Sequence, residues 1–298
     1  MLGAKRWAQL LTLIVGYAFS SVTLSQNGVV IIPLGGDAEA VSNVVTVAKR
    51  NGDFDNPFDA LESIDEAGES NPHLIFVAPG VYDISNNQLS MKEHVNITGS
   101  GKNITKIIGS VGSSSQDGSG ALLVGADNTH LQHLTLENQD STSSQVWGVA
   151  NNGVTFAMTS VRVRIVDGSG NDFGIHNMSS NLILKDVDAF VDGSTVGQMR
   201  ILLDSGSRAK LDHSTVSVTG GSVDWGVNVN DTSSTASIHR SRIVGDDQSI
   251  RAGTGITVNE TYVSHSILTG SVTGDPICIF NFTGVGDELN TSCQPIPQ

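Results

Sequence analysis

Two cysteines, Cys278 and Cys293, are all that the 298 residues contain. No Cys/His cluster has zinc-ligand spacing, and neither a GxSxG elbow nor an HExxH pair occurs. The Gly-rich GSGKN at 99–103 lacks P-loop spacing, and no helix follows it. These absences remove the common signatures of serine hydrolases, zinc enzymes and nucleotide binders, and the chain gives no reason to expect a cofactor or a metal. Basic residues are scarce: 16 Lys and Arg stand against 30 Asp and Glu, for a formal charge of −14. Such a chain is repelled by nucleic acid and by anionic lipid. Helical periodicity over three turns is missing from 121 to 285. Beyond Phe19 no apolar run is long enough to cross a bilayer.

What is present begins with a leader. Lys5 and Arg6 precede an apolar run from Leu10 to Phe19, and Ser20, Ser21 and Ser25 follow. This predicts a secretory signal peptide over 1–25, and hence a secreted or periplasmic protein. Its removal takes two basic residues and no acid, shifting the formal charge from −14 to −16. An N-terminal extension over 26–44 follows. In an oxidising compartment the two cysteines are expected to pair and close the 276–298 end segment, the alternative being two free thiols. Seven Asn-x-Ser/Thr sites, at Asn96, Asn103, Asn177, Asn230, Asn259, Asn281 and Asn290, would matter only in a glycosylating host.

The strongest pattern is a repeat. Leu131, Met158, Leu184, Leu211, Ile238 and Val263 each open a hydrophobic-x-x-[Leu/Val/Ser]-x-hydrophobic stretch, at gaps of 27, 26, 27, 27 and 25. Five residues on stand Leu136, Val163, Ala189, Val216, Ile243 and Leu268. A second column reads Leu123, Val149, Ile175, Leu202, Val227, Ala252 and Ile279. The stretches alternate, favour β-branched residues and end at glycines, as strands do. Coils of about 26 residues that bury their apolar sides only against one another predict a solenoid. The expected fold is all-β: a single parallel β-helix over 45–275.

Residues 45–109 differ from the coils. Asn56-Pro57 is set up to cap and start a short helix, with Phe58, Leu61 and Ile64 on one face, as a lid over the first coil. The segments VTVAKRNGDFDNPFDALESI (45–64), VAPGVY (77–82) and ITGSGKNITKIIGS (97–110) resemble the pectinesterases of the pectin lyase-like superfamily. The resemblance spans about 65 residues and implies a right-handed β-helix with an N-terminal capping helix. It further implies a Gln, two Asp and an Arg on the outer face of one sheet. Gln198-Met199-Arg200 and Val223-Asp224-Trp225 match two of the family's catalytic segments weakly. Nothing between them matches the segment carrying the acid/base Asp. Asp224-Trp225-Gly226-Val227 is also a repeat element, echoed by Asp172-Phe173-Gly174-Ile175 and Val146-Trp147-Gly148-Val149.

Stacking makes columns, not neighbours in sequence, into surfaces. One column gathers Trp147, Phe173, Arg200, Trp225 and Ile250. It reads either as a strip for stacking sugar rings or as an internal aromatic stack. Another gathers Arg162 and Arg164, then Lys185, Asp186 and Asp188, then Asp212 and His213, then His239, Arg240 and Arg242. Carboxylates beside His or Arg suit acid/base chemistry, and equally suit cross-strand pairing on a solvated face. The expected function is therefore an exported scaffold or polysaccharide-binding β-helix without a complete catalytic motif. The alternative is a pectinesterase-like or other polysaccharide-modifying enzyme.

Overall fold

A computed structural model describes residues 43–166, 170–192, 197–218, 220–221, 223–252 and 261–297. The leader and most of the 26–44 extension lie outside these residues, as does Asn259. Among the described residues no helix is long and apolar enough to cross a membrane.

The chain winds as a right-handed parallel β-helix. Each coil between His73 and Thr273 contributes strands to three faces, and each face is a parallel stack held by backbone ladders between coils. On the first face Val45, Ile75, Ile97, Leu131, Met158, Leu184, Leu211, Ile238, Val263 and Cys278 pair in turn. On the second, Tyr82, Ile107, Leu136, Val163, Ala189, Val216, Ile243 and Leu268 do so. Nearly all of these are buried and line one continuous core. Their period is set by the coil length, so the spacing in the sequence became the stacking in space.

The third face corrects the sequence-derived column. Its inward row is Leu123, Val149, Ile175, Ile201, Val227, Ile250 and Val272. Leu202, Ala252 and Ile279 are out of that register. A slip of one residue sends a side chain to the other side of a strand. Leu202 accordingly packs outside the core, with Trp147, Phe173 and Ala150. Ile279 belongs to the first face, opposite Ser264.

The corner between the first and second faces has a fixed conformation. His133, Ser160, Asp186, His213, Arg240, His265 and Phe280 occupy it in successive coils, all with φ between 46° and 54°. Left-handed backbone usually selects glycine and costs other residues about 1 kcal/mol or more, least for Asn, Asp and His. The next residue in each coil points inward: Leu134, Val161 and Val187 first, then Ser214, Ser241 and Ser266. Each serine hydroxyl donates to the carbonyl two residues earlier and accepts an amide from the coil before it. Val187 N–H donates to Ser214 Oγ at 3.2 Å, Ser214 N–H to Ser241 Oγ at 3.1 Å, and Ser241 N–H to Ser266 Oγ at 3.1 Å. Asn281 Oδ1 ends this ladder on Ser266 N–H at 2.9 Å. The Ser in the repeat pattern is thus an internal hydrogen-bond column, which satisfies corner amides that strand pairing leaves over.

Both ends are closed. The helix Pro57–Glu62 starts at Asn56, whose side chain accepts the Phe58 N–H at 2.8 Å, and buries Ala60 and Leu61 on the first coils. At the other end Cys278 and Cys293 form a disulfide with Cα atoms 5.2 Å apart. Asn281–Thr283 there pairs antiparallel with Glu288–Leu289.

Candidate functional site

Beside the inward row, the register of the third face sets two more rows, whose described side chains point outward. The first is Ala121, Trp147, Phe173, Met199, Trp225, Gln248 and Ser271. The second is Val124, Ala150, His176, Leu202, Asn228, Arg251 and Thr273. Met199 and Gln248 therefore stand where the sequence reading put Arg200 and Ile250.

The aromatic members of these rows behave differently along the solenoid. Trp147 and Phe173 are buried although they lie outside the core, their rings edge-on with centroids 5.4 Å apart. His176 completes the group, 4.7 Å from Trp147 and stacked 5.6 Å from Phe173. Gly118, from the segment preceding the strand Ala121–Val124, lies over Ala150 and Trp147. Gln88 Nε2 pins that segment, donating to the carbonyls of Gly118 and Ala121 at 3.1 and 2.7 Å. A cleft of about 300 Å³ opens alongside, lined in part by Gln88, Asp117, Ser119, Asn152 and Met178. His176 is only 5 % exposed, and neither ring nitrogen has a hydrogen-bond partner among the described residues; the same holds for Trp147 Nε1. Burial pulls the imidazole down to about pKa 4, against a smaller upward pull from Asp204, so the ring is neutral at pH 7.

Two coils on, Trp225 is only half-buried. The Arg251 guanidinium lies over its ring, 4.3 Å from the centroid, and donates to Asn228 Oδ1 at 3.2 Å. Thr273 Oγ donates to Gln248 Oε1 at 3.3 Å beside it. One flat ring, one cation, the Gln248 amide and the Thr273 hydroxyl thus share a half-exposed strip of sheet, with Asn228 buried beneath the guanidinium.

The residues suggested by the catalytic segments lie elsewhere. Arg200 occupies the inward row that holds Gly148, Gly174 and Gly226 in neighbouring coils. A Cβ at Gly148 would sit 2.3 Å from Val163, which shows how tight that row is. The Arg200 side chain is fully buried and crosses the interior, donating to the carbonyls of Ser217 and Val191 on the second face. Asp224 is 1 % exposed, and its carboxylate accepts the Gly221 N–H at 2.9 and 3.2 Å. Burial raises its pKa, with Asp246 and Asp247 adding to the shift and Gly221 and Arg200 opposing it. The Gln198 side chain lies outside the described residues.

The charged outer columns are brought together by a residue the sequence reading passed over. Lys102, in the turn after Gly101, reaches across to both Asp186 and Asp188, at 2.8 and 3.1 Å. Asp188 lies between Arg162 and Thr215 in register and pairs with Arg162 at 3.3 Å. Ser160 donates to Asp186 at 2.8 Å. Against the upward push of burial, Lys102 and Ser160 hold the Asp186 carboxyl below its ordinary range. The neighbouring Glu137 is buried and accepts from Lys106 at 2.8 Å and from Arg164 at 3.4 Å. Asp212 pairs with His213 and Arg240, each at 3.2 Å. Asp186 and His213 share the corner column, but their side chains take different partners.

Two of the glycosylation sequons are occupied structurally. Asn177 and Asn281 are fully buried and hydrogen-bonded, Asn177 to Asn151 and the Ser180 carbonyl, Asn281 to Ser266 and the Val263 carbonyl.

No family model and no curated protein sequence matches the chain. Solved structures do. The pectin methylesterase PemA from Erwinia chrysanthemi is similar over 87 % of this chain and 94 % of its own, at 13 % identity and a TM-score of 0.58. A pectin methylesterase mutant in complex with a hexasaccharide is similar over 88 % and 94 %, at 14 % identity and a TM-score of 0.52. At these identities the likeness is one of fold.

Proposed function

We propose that this chain is an exported polysaccharide-binding β-helix, which holds its ligand along the outer side of the third face without cleaving an ester. The observation that carries the reading is the Trp225 strip. A partly open indole backed by Arg251 offers a stacking surface for a sugar ring, and Gln248 and Thr273 offer hydrogen bonds around it. The solved structures of similar fold include one whose name places a hexasaccharide on a pectin methylesterase. Against catalysis stand the buried, amide-capped Asp224 and the ion-paired state of Asp186 and Asp188.

Binding of acidic and neutral oligosaccharides to the purified chain, followed by calorimetry, tests the reading. Trp225→Ala should weaken binding by about 1 kcal/mol, or roughly fivefold. Unchanged affinity in that variant, or no binding by the parent chain, rejects the strip. A second reading, ester hydrolysis, is favoured by the raised Asp224 carboxyl. Release of methanol from methylated pectin, lost in Asp224→Asn, would put that reading first.

A further inference from the structure

The last coil differs from all those before it. Three outward columns end apolar: Ile183, Lys210, Ser237, Tyr262, Ile277 is mixed along its length, whereas Lys185, Asp212, His239, Ser264, Ile279 and Asp188, Thr215, Arg242, Ile267, Phe282 begin charged. The corner column does the same, from Asp186, His213, Arg240 and His265 to Phe280. Of the thirteen large apolar residues exposed among the described residues, eight lie from Tyr262 onward. Phe280 is 63 % and Val285 is 87 % exposed. Scattered apolar residues on a surface are ordinary, whereas a contiguous collar marks an interaction site.

Charge and shape say what fits it. One or more coils toward the N-terminus, Arg208, Lys210 and Arg242 are exposed and carry no ion pair among the described residues. Beyond the collar, Asp275, Asp287 and Glu288 are exposed and also lack one. The apolar patch thus lies between a group of basic side chains and a group of acidic ones, although Asp246 and Asp247 are also exposed on the strand that carries Arg242. Next to it a hollow of about 380 Å³ is lined in part by Arg208, Lys210, Ala236, Ser237 and Tyr262.

We propose that this end is a self-association surface, whose partner is a second copy of the same chain related by a twofold axis through the collar. Such an axis turns the second solenoid antiparallel to the first. It lays each basic group against the other copy's acidic Asp287–Glu288 turn, and brings the projecting Phe280 and Val285 of each copy to the hollow of the other. Every contact is made twice, as an isologous interface requires. The overall negative charge opposes association at long range, while the local complementarity fixes the orientation.

Sedimentation equilibrium of the purified, disulfide-bonded chain tests this. The mass should rise from one chain to two with concentration, and go no further. Phe280→Asp with Val285→Asp should leave the chain monomeric, with an unchanged circular dichroism spectrum, because both side chains are exposed. Arg208→Glu with Lys210→Glu should weaken the dimer by about tenfold or more, as should Asp287→Lys with Glu288→Lys. Combining all four reversals should restore it. A single-chain mass at every concentration overturns the proposal. So do an apolar-to-Asp variant that still dimerises and charge reversals that neither weaken the dimer nor compensate one another.

Discussion

The outer sides of the second and third faces are made from the same coils and carry opposite chemistry. Along the second face and its corner, Lys102, Lys106, Arg162 and Arg164 each lie within 3.4 Å of a carboxylate. That surface is satisfied by itself. On the third face, Trp147 and His176 are buried with nitrogen atoms that find no partner among the described residues, and Trp225 stands half-open under Arg251. Charged residues in columns are thus a weak pointer to chemistry, because stacking invites opposite charges to neutralise one another. Polar groups held beside aromatic rings, short of partners, are the better pointer, since leaving them so costs stability that packing elsewhere must offset.

The largest effect should separate the two tryptophans. Trp147→Ala removes a fully buried ring and should cost about 3–5 kcal/mol, read as a shift in urea midpoint. Trp225→Ala should cost under about 1 kcal/mol, because its ring is partly in water. Equal losses in the two variants would erase the distinction between a packed and an open part of the row.

His176 gives the next effect. Its folded pKa lies below its unfolded value, so the folded state resists protonation. Stability is therefore complete above pH 6.5 and falls as the pH drops from 6.5 toward 4, where the folded ring also titrates. The full difference is on the order of 3 kcal/mol. His130, which burial and His133 also pull down, adds to the same window. The depressed carboxyls of Glu137 and Asp186 lose their contribution only at lower pH, through and below the ordinary carboxylate range. Unfolding measured at pH 7.5 and pH 4.5 should show the loss, and His176→Phe should lessen it. An unaltered pH dependence in that variant would mean the ring is solvated and the aromatic group is not closed.

An effect smaller than those at Trp147 and His176 belongs to the charged surface. Lys102→Met leaves Asp186 and Asp188 without their shared cation and should cost about 1–2 kcal/mol, without changing oligosaccharide affinity. A loss of binding in this variant would move the candidate site to the second face and reverse the comparison.

Much of this architecture was legible beforehand. Leu131 to Val263 stack as their spacing implied, Asn56 caps its helix, and Cys278 meets Cys293. The candidate site was half legible. Trp147, Phe173 and Trp225 do share a row, yet Arg200 does not join them. The gaps between repeats vary by one or two residues, and one residue is enough to turn a side chain from outside to inside. His176, three residues after Phe173, carried no signal of its own apart from its place beside an aromatic column.

The sequence by itself determined the coil, because alternation and a period near 26 are local properties repeated until only one stacking buries them all. Only the tertiary structure decided which aromatic rings are covered and which charges are spent. Trp147 is closed by Gly118, which no repeat predicts, and Lys102 meets Asp186 across 84 residues of sequence. Those contacts depend on where irregular turns fall when the coils are wound, and no periodicity records that position.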